Sequence, residues 1–190
     1  MANQMSNAPM MSAGSISIFQ TWINALTKPN EQTYRDIASS PNAKATTAYM
    51  WVFISSIVTF FITFLVQGSV IRDRLTQAGY SQDRLGGGLV VVLLTLLCGS
   101  PIAAAISTLF FAVWVAIIQW IAKMFGGTGT NDQMAYTFAS ISVPYSLISA
   151  VFIGLSAIPF VGLCLRAILG LAGIYILILE IMAVKGVNQF

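Results

Sequence analysis

Long apolar runs alternate with short polar breaks along this chain, and their lengths set the architecture. The first run, Ala48 to Val66, covers the ~30 Å hydrocarbon core of a bilayer. Ser40-Pro41 predicts its helix start, an N-cap followed by proline in the first turn, and the helix is expected to end at Gln67, before Gly68. That is about 27 residues, or ~40 Å at 1.5 Å each. Ser55, Thr59 and Thr63 recur every fourth residue and so share a face. In lipid a polar row of this kind turns into the bundle.

Residues 69–85 carry Arg72, Asp73, Arg74, Asp83 and Arg84 and read as a solvated loop or surface helix. The next apolar run, Leu89 to Ala122, is roughly 34 residues, ~51 Å as one helix. It is too long for one ordinary span and too short for two with a loop. Gly99-Ser100-Pro101 repeats the Ser-Pro pattern of residues 40–41, which predicts a break there. Residues 86–99 then form a short or re-entrant segment after Gly86-Gly87-Gly88, and 101–124 a full span. A single kinked helix is the alternative. Further spans are expected at about 135–156, where Pro144 should introduce a kink, and at 163–184, after a turn marked by Pro159 and Gly162.

Two of these helices carry small residues at every fourth position. Ala104, Thr108, Ala112 and Ala116 form one row, and Ser142, Ser146, Ala150 and Gly154 the other. Such rows let helix backbones approach closely where lipid offers no hydrophobic gain. The two faces are expected to touch each other or the first span.

Before the spans, residues 1–15 read as a disordered tail and 16–40 as interfacial amphipathic helices. Ser17 and Gln20 form a capping box for a short helix. That helix sets Ile18, Phe19, Trp22, Ile23 and Leu26 on one face and Gln20, Thr21 and Asn24 on the other. It suits either the headgroup boundary or a place against the bundle. A second short helix, Asn30 to Ala38, carries Glu31 in its first turn, where the helix dipole favours an acid. Residues 41–190 are the transmembrane domain. The predicted class is an all-α, polytopic membrane helix bundle of four to five transmembrane segments with an N-terminal interfacial amphipathic helix.

Composition agrees. The chain is 57% hydrophobic and 8% charged with mean hydropathy +0.81, against about 25% charged residues in soluble domains. Net charge is +3 with the basic residues scattered, so there is no stripe for nucleic acid. Histidine is absent, and Cys98 and Cys164 lie in apolar runs and read as two buried thiols, with a disulfide between them the alternative that parity allows. A metal site or a Cys-His nucleophile lacks its parts, and no cofactor motif is present. Arg166 and Glu180, ~21 Å apart along one helix, read as snorkelling anchors rather than a proton path. No signal peptide, lipidation box or glycosylation sequon is visible.

Between the 101–124 and 135–156 spans lies Gly126-Gly127-Thr128-Gly129-Thr130. It has no preceding strand and no following Gly-Lys-Ser/Thr, so it is not a P-loop. Gly126 and Gly127 read as a C-cap and Thr130-x-x-Gln133 as a capping box, making this an inter-span turn.

Phe125-Gly126-Gly127-x-Gly129-Thr130 after a helix, the polar Asn131-Asp132-Gln133 start and a span with an internal proline resemble the Yip domain family. Residues 22–29, Pro29-Asn30-Glu31-x-x-Tyr34 and the ending Ile181 to Val187 extend the resemblance over about 16–190, closest to prokaryotic members. These small multi-span proteins are named for interacting with Ypt/Rab GTPases. The resemblance implies five membrane segments with a cytoplasmic N-terminal part and, in eukaryotic members, roles in vesicle trafficking and membrane shaping. The GTPase-facing determinants of the family lie in a long acidic N-terminal region. This N-terminus is short and not acidic, so GTPase binding is not carried over.

The functional expectation is a non-enzymatic scaffold or adaptor, multi-pass in the cell membrane. It would shape or organise the bilayer, or hold a membrane-protein partner or a second copy of itself. A small transporter or channel is the alternative. With five crossings, Lys28, Arg35, Lys44 and Arg166 would fall on one side and Arg72, Arg74, Arg84, Lys123 and Lys185 on the other. That partition does not fix orientation by the positive-inside rule.

Overall fold

The computed structural model describes residues 17–77, 94–155 and 161–190. The tail at 1–15, the glycines at 86–88 and the turn at Pro159 lie outside these residues. Among the described residues the regular structure is helical: α1 (Ile18–Thr27), α2 (Glu31–Ala38), α3 (Ala45–Gln77), α4 (Ser100–Met124), α5 (Asn131–Leu155) and α6 (Val161–Asn188). A single π-helical turn, Thr95–Gly99, runs directly into α4. Among the described residues, four stretches are long and apolar enough to cross a membrane: Ala45–Val66, Leu96–Met124, Asn131–Leu155 and Val161–Asn188.

Several predicted boundaries move, each for a local reason. Ser40-Pro41 does not open α3. The Ala43 N–H donates to the Ser40 carbonyl at 3.0 Å, closing a turn with serine first and proline second, and the helix starts at Ala45. A β-turn favours the same dipeptide as a helix start. Gly68 does not end α3, which continues to Gln77. At 33 residues this helix is ~50 Å long, so its last turns extend past a ~30 Å hydrocarbon core. Part of the segment expected as a separate surface element is thus the end of the first span's own helix.

Nor does Gly99-Ser100-Pro101 break the chain. Gly99 (φ −72°, ψ −38°) and Ser100 (φ −64°, ψ −44°) are both right-handed helical. Pro101 supplies no N–H, and the ladder adjusts through the π-turn that precedes it. Within that turn the Ser100 hydroxyl donates to the Leu96 carbonyl at 2.5 Å. The helix likewise runs through Pro144 without interruption in α5.

The central helix is α5, which lies against α3 and α6 and also touches α4 and both N-terminal helices, while α3 also lies against α4. The two N-terminal helices cover α5 and α6. α3 begins, α4 ends, α5 begins and α6 ends at one common end of the bundle. There the Trp51 and Tyr136 rings lie 5.0 Å apart, and the Thr128 N–H donates to the Asn188 carbonyl at 3.2 Å. Because α4 ends where α3 starts, the two helices run antiparallel, α3 crossing outward and α4 returning. Residues 94–99 lead into α4 and belong to that return crossing.

This arrangement corrects the five-crossing charge partition. Lys28, Arg35, Lys44, Lys123 and Lys185 belong to the common end, and Arg166, in the first turns of α6, to the other. The large core side chains also gather toward the common end, with Tyr34, Met134, Phe138 and Leu179 fully enclosed. Cys98 and Cys164 are free and exposed, facing outward rather than buried as the apolar runs suggested.

Candidate functional site

Two places concentrate polar groups in this apolar bundle. The first is the common end, where the 125–130 loop holds the end of α6. Gly126 closes α4 with φ +89°, a left-handed conformation that costs residues with a Cβ ~1–2 kcal/mol. The Gly126 N–H donates to the Lys123 carbonyl and the Gly127 N–H to the Ala122 carbonyl, at 3.1 and 2.9 Å. Together they form a complete Schellman motif. At the other side of the loop the Gln133 N–H donates to Thr130 Oγ1 and the Thr130 N–H to Gln133 Oε1, at 3.3 and 3.0 Å. The capping box is reciprocal, as its spacing predicts.

Gly127 and Gly129 have a different task. A Cβ on Gly127 would lie 2.6 Å from Asn188 Oδ1, and one on Gly129 would lie 2.7 Å from Val187 Cγ1. Only glycine lets the loop close over the end of α6. Beneath it Gln119 Nε2 donates to the Gly129 carbonyl (2.6 Å) and to Asn188 Oδ1 (3.0 Å). Asn188 Nδ2 donates to the Val184 carbonyl at 3.0 Å. Both amides are buried, and such groups cost several kcal/mol in an apolar medium without partners, so the loop, α4 and α6 are tied into one unit.

The N-terminal helices dock beside this clasp. Asn30 caps α2 by accepting the Gln32 N–H at 3.0 Å. Tyr34 is fully enclosed and donates to the Ala25 carbonyl of α1 at 2.8 Å. Burial, then the nearby Tyr175, push its phenol well above the ordinary tyrosine range. Gly186 lets α2 cross α6 closely, since a Cβ there would meet the Glu31 carbonyl oxygen at 2.6 Å. Lys185 pairs with Glu31 at 3.2 Å on the exposed side. The Tyr175 hydroxyl donates to the Leu26 carbonyl at 2.8 Å.

α1 seats on the bundle by one edge of its apolar face, with Trp22 and Leu26 packed against the core. Thr21 and Ala25 are buried, whereas Ile18, Phe19 and Ile23 point outward. Ser17 Oγ accepts the Gln20 N–H at 3.3 Å to cap it. Trp22 bridges inward, its ring edge-on to Trp51 at 5.7 Å.

The second place is a half-open cleft of about 290 Å³ between α3, α4 and α5, lined by Ser56, Thr59, Phe60, Thr63, Ala103, Ser107 and Ser146. It brings the expected polar row of α3 together with Ser146 of the α5 row. Ser55 of the same polar row is buried, its hydroxyl donating to the Val52 carbonyl. Gly154 faces Ile62 and Val66 of α3. Ala150 and Ala104 are fully buried, and Thr108, Ala112 and Ser142 are half-buried, but Ala116 is exposed. The α4 seam instead passes through Val115, Gln119 and Ala122.

With both places described, comparison with known proteins adds the family. The family model of the Yip1 domain matches residues 23–190. The chain belongs to the Yip1 domain family. Searches of curated proteins and of solved structures returned no match. The matched Yip1 domain takes in the last turn of α1 and all of α2 to α6, including the clasp and the cleft. With its four apolar helices it makes the protein a multi-pass membrane protein.

Within this Yip1 domain, Gln119 and Asn188 are the residues that sequence reasoning passed over. Gln119 carried a usable signal as an amide inside an apolar run, and Asn188 carried none. Tyr34 entered only through the Pro29 to Tyr34 segment of the resemblance, without its role.

Proposed function

We propose that this Yip1-domain protein is a non-enzymatic scaffold of the cell membrane. It organises or shapes the bilayer and offers its common end to a membrane-protein partner or a second copy. One observation carries this reading. α1 is anchored on the bundle through Thr21, Ala25 and Trp22 while Ile18, Phe19 and Ile23 point away from it. An anchored helix with an outward apolar face is a rigid wedge at the headgroup and acyl boundary. GTPase binding forms no part of the reading.

The test is vesicle morphology. Purified protein reconstituted into liposomes is expected to narrow or tubulate them in electron micrographs, and Phe19→Asp with Ile23→Asp to abolish the effect. Wild-type protein that leaves vesicle shape unchanged would sink the proposal. A second reading, a small transporter or channel, is favoured by the hydroxyl-lined cleft. Solute flux in the same vesicles that is lost on Thr59→Leu would establish it over the scaffold.

A further inference from the structure

Three helices leave a gap where their side chains would let them close. Ser56 of α3, Ala103 and Ser107 of α4 and Ser146 of α5 border the cleft of about 290 Å³. Small residues on facing helices normally let the backbones meet, yet here they line open space. Folded interiors are close-packed, and the walls of an unfilled space forfeit dispersion contacts. The described helices therefore leave room for a guest.

Chemistry and depth narrow what that guest is. The accessible lining is mostly carbon and includes no ionisable side chain. The Ser146 hydroxyl donates to the Val143 carbonyl at 2.8 Å, and the Thr59 hydroxyl oxygen is enclosed and does not open onto the cleft. A buried water needs about two to four polar partners, which such a wall does not supply, and a charged group would be desolvated without compensation. Thr59 lies ~21 Å along α3 from Ala45, Ser107 ~26 Å along α4 from Met124 and Ser146 ~23 Å along α5 from Asn131. All three distances run from the common end, so the cleft sits in the far half of a ~30 Å core, where the medium is acyl chain. Ser107 is exposed and the other lining residues are half-buried, so the cleft opens outward to that medium. At ~30 Å³ for a water-sized group, it takes on the order of ten methylenes. That is room for much of one chain and none for a helix ~10 Å across.

We infer that this cleft seats one phospholipid acyl chain from the leaflet opposite the common end, held between α3, α4 and α5 with its headgroup outside. The inference stands independently of the α1 wedge, and it gives the cleft an occupant where the second reading above has a path.

The test uses the full chain in phosphatidylcholine vesicles. One preparation carries a trace of the same lipid with a diazirine on its acyl chain, another with the diazirine on its headgroup. After photoactivation the labelled residues are mapped by mass spectrometry. Chain label is expected at Ser56, Ala103 and Ser107 several-fold above that at Leu109 and Phe110, which are exposed on α4. The headgroup probe should leave the cleft unlabelled. Ala103→Phe and Ser56→Leu fill the cleft from different helices and should each abolish the excess label, with melting curves reporting folding. Thr59→Val should leave it unchanged. Chain label no stronger in the cleft than on the outer face of α4 overturns the inference in the wild type alone. Headgroup label inside the cleft, excess label that survives both fillings, or its loss in Thr59→Val would do the same. Vesicle shape is read separately, so failure here and failure of the scaffold reading are distinct results.

Discussion

Gln119 and Asn188 face each other amide to amide. Gln119 Nε2 donates to Asn188 Oδ1 at 3.0 Å and Asn188 Nδ2 donates back to Gln119 Oε1 at 3.4 Å. The pair joins helices 69 residues apart in sequence. Gln119→Leu or Asn188→Leu alone leaves the other amide buried with its partner gone and is expected to cost about 1–3 kcal/mol. The double variant should lose clearly less than the sum. Chemical or thermal unfolding in detergent measures the cycle, and strictly additive losses would show that the two amides do not interact.

The glycines divide into groups with different outcomes. Gly127→Ala, Gly129→Ala and Gly186→Ala each place a Cβ 2.6 or 2.7 Å from its nearest neighbour and should destabilise by ~1–3 kcal/mol. Gly126→Ala has open space but φ +89°, and should cost ~1–2 kcal/mol through backbone strain. Gly170→Ala meets nothing within 4 Å and should gain up to ~1 kcal/mol of helix propensity. A melting series in one detergent gives the order, and Gly170→Ala ranking below Gly127→Ala would contradict the loop geometry.

Topology is directly testable. With Cys98 and Cys164 replaced, cysteines at Phe125 and Phe190 should react with an impermeant reagent from the same side of sealed vesicles. A cysteine at Gln77 should react only from the opposite side. Labelling of positions 77 and 125 from one side would restore an extra crossing between α3 and α4.

Tyr34 predicts an alkaline transition. Its phenol is raised above the ordinary value of 10.0 by burial and by Tyr175. The folded state therefore holds this proton more tightly than the unfolded chain. The stabilisation is complete below pH ~10, the unfolded value, and is lost as pH rises from there toward the folded pKa. Melts from pH 8 to 11 should show stability falling at the alkaline end. Tyr34→Phe should remove this component and cost about 1 kcal/mol at neutral pH for the lost bond to Ala25. An unchanged pH profile in that variant would assign the transition elsewhere.

What the sequence revealed was whatever the chain settles over a few residues. The Schellman motif at Gly126-Gly127 and the capping box at Thr130 close within five residues, so both were legible. The Ser-Pro pairs were not, because a β-turn and a helix interior accept the same dipeptide that a helix start does. Ala116 was misplaced by spacing. Each four-residue step drifts ~40° around a helix of 3.6 residues per turn, so Ala116 stands about 120° from Ala104. The seating of α1 was left open between lipid and bundle for a deeper reason. Inward and outward are told apart by hydrophobicity only when water lies outside, and lipid removes that contrast. The Gln119–Asn188 contact depends on tertiary structure alone and has no local signature.

The edge-on contact of Trp22 with Trp51 has a practical consequence. Two indoles 5.7 Å apart at 89° form a coupled chromophore pair, one on α1 and one on α3. Near-ultraviolet circular dichroism therefore reads the seating of α1 optically and without a label. A loss of that signal with the far-ultraviolet helix band intact would time the release of the N-terminal segment from the bundle.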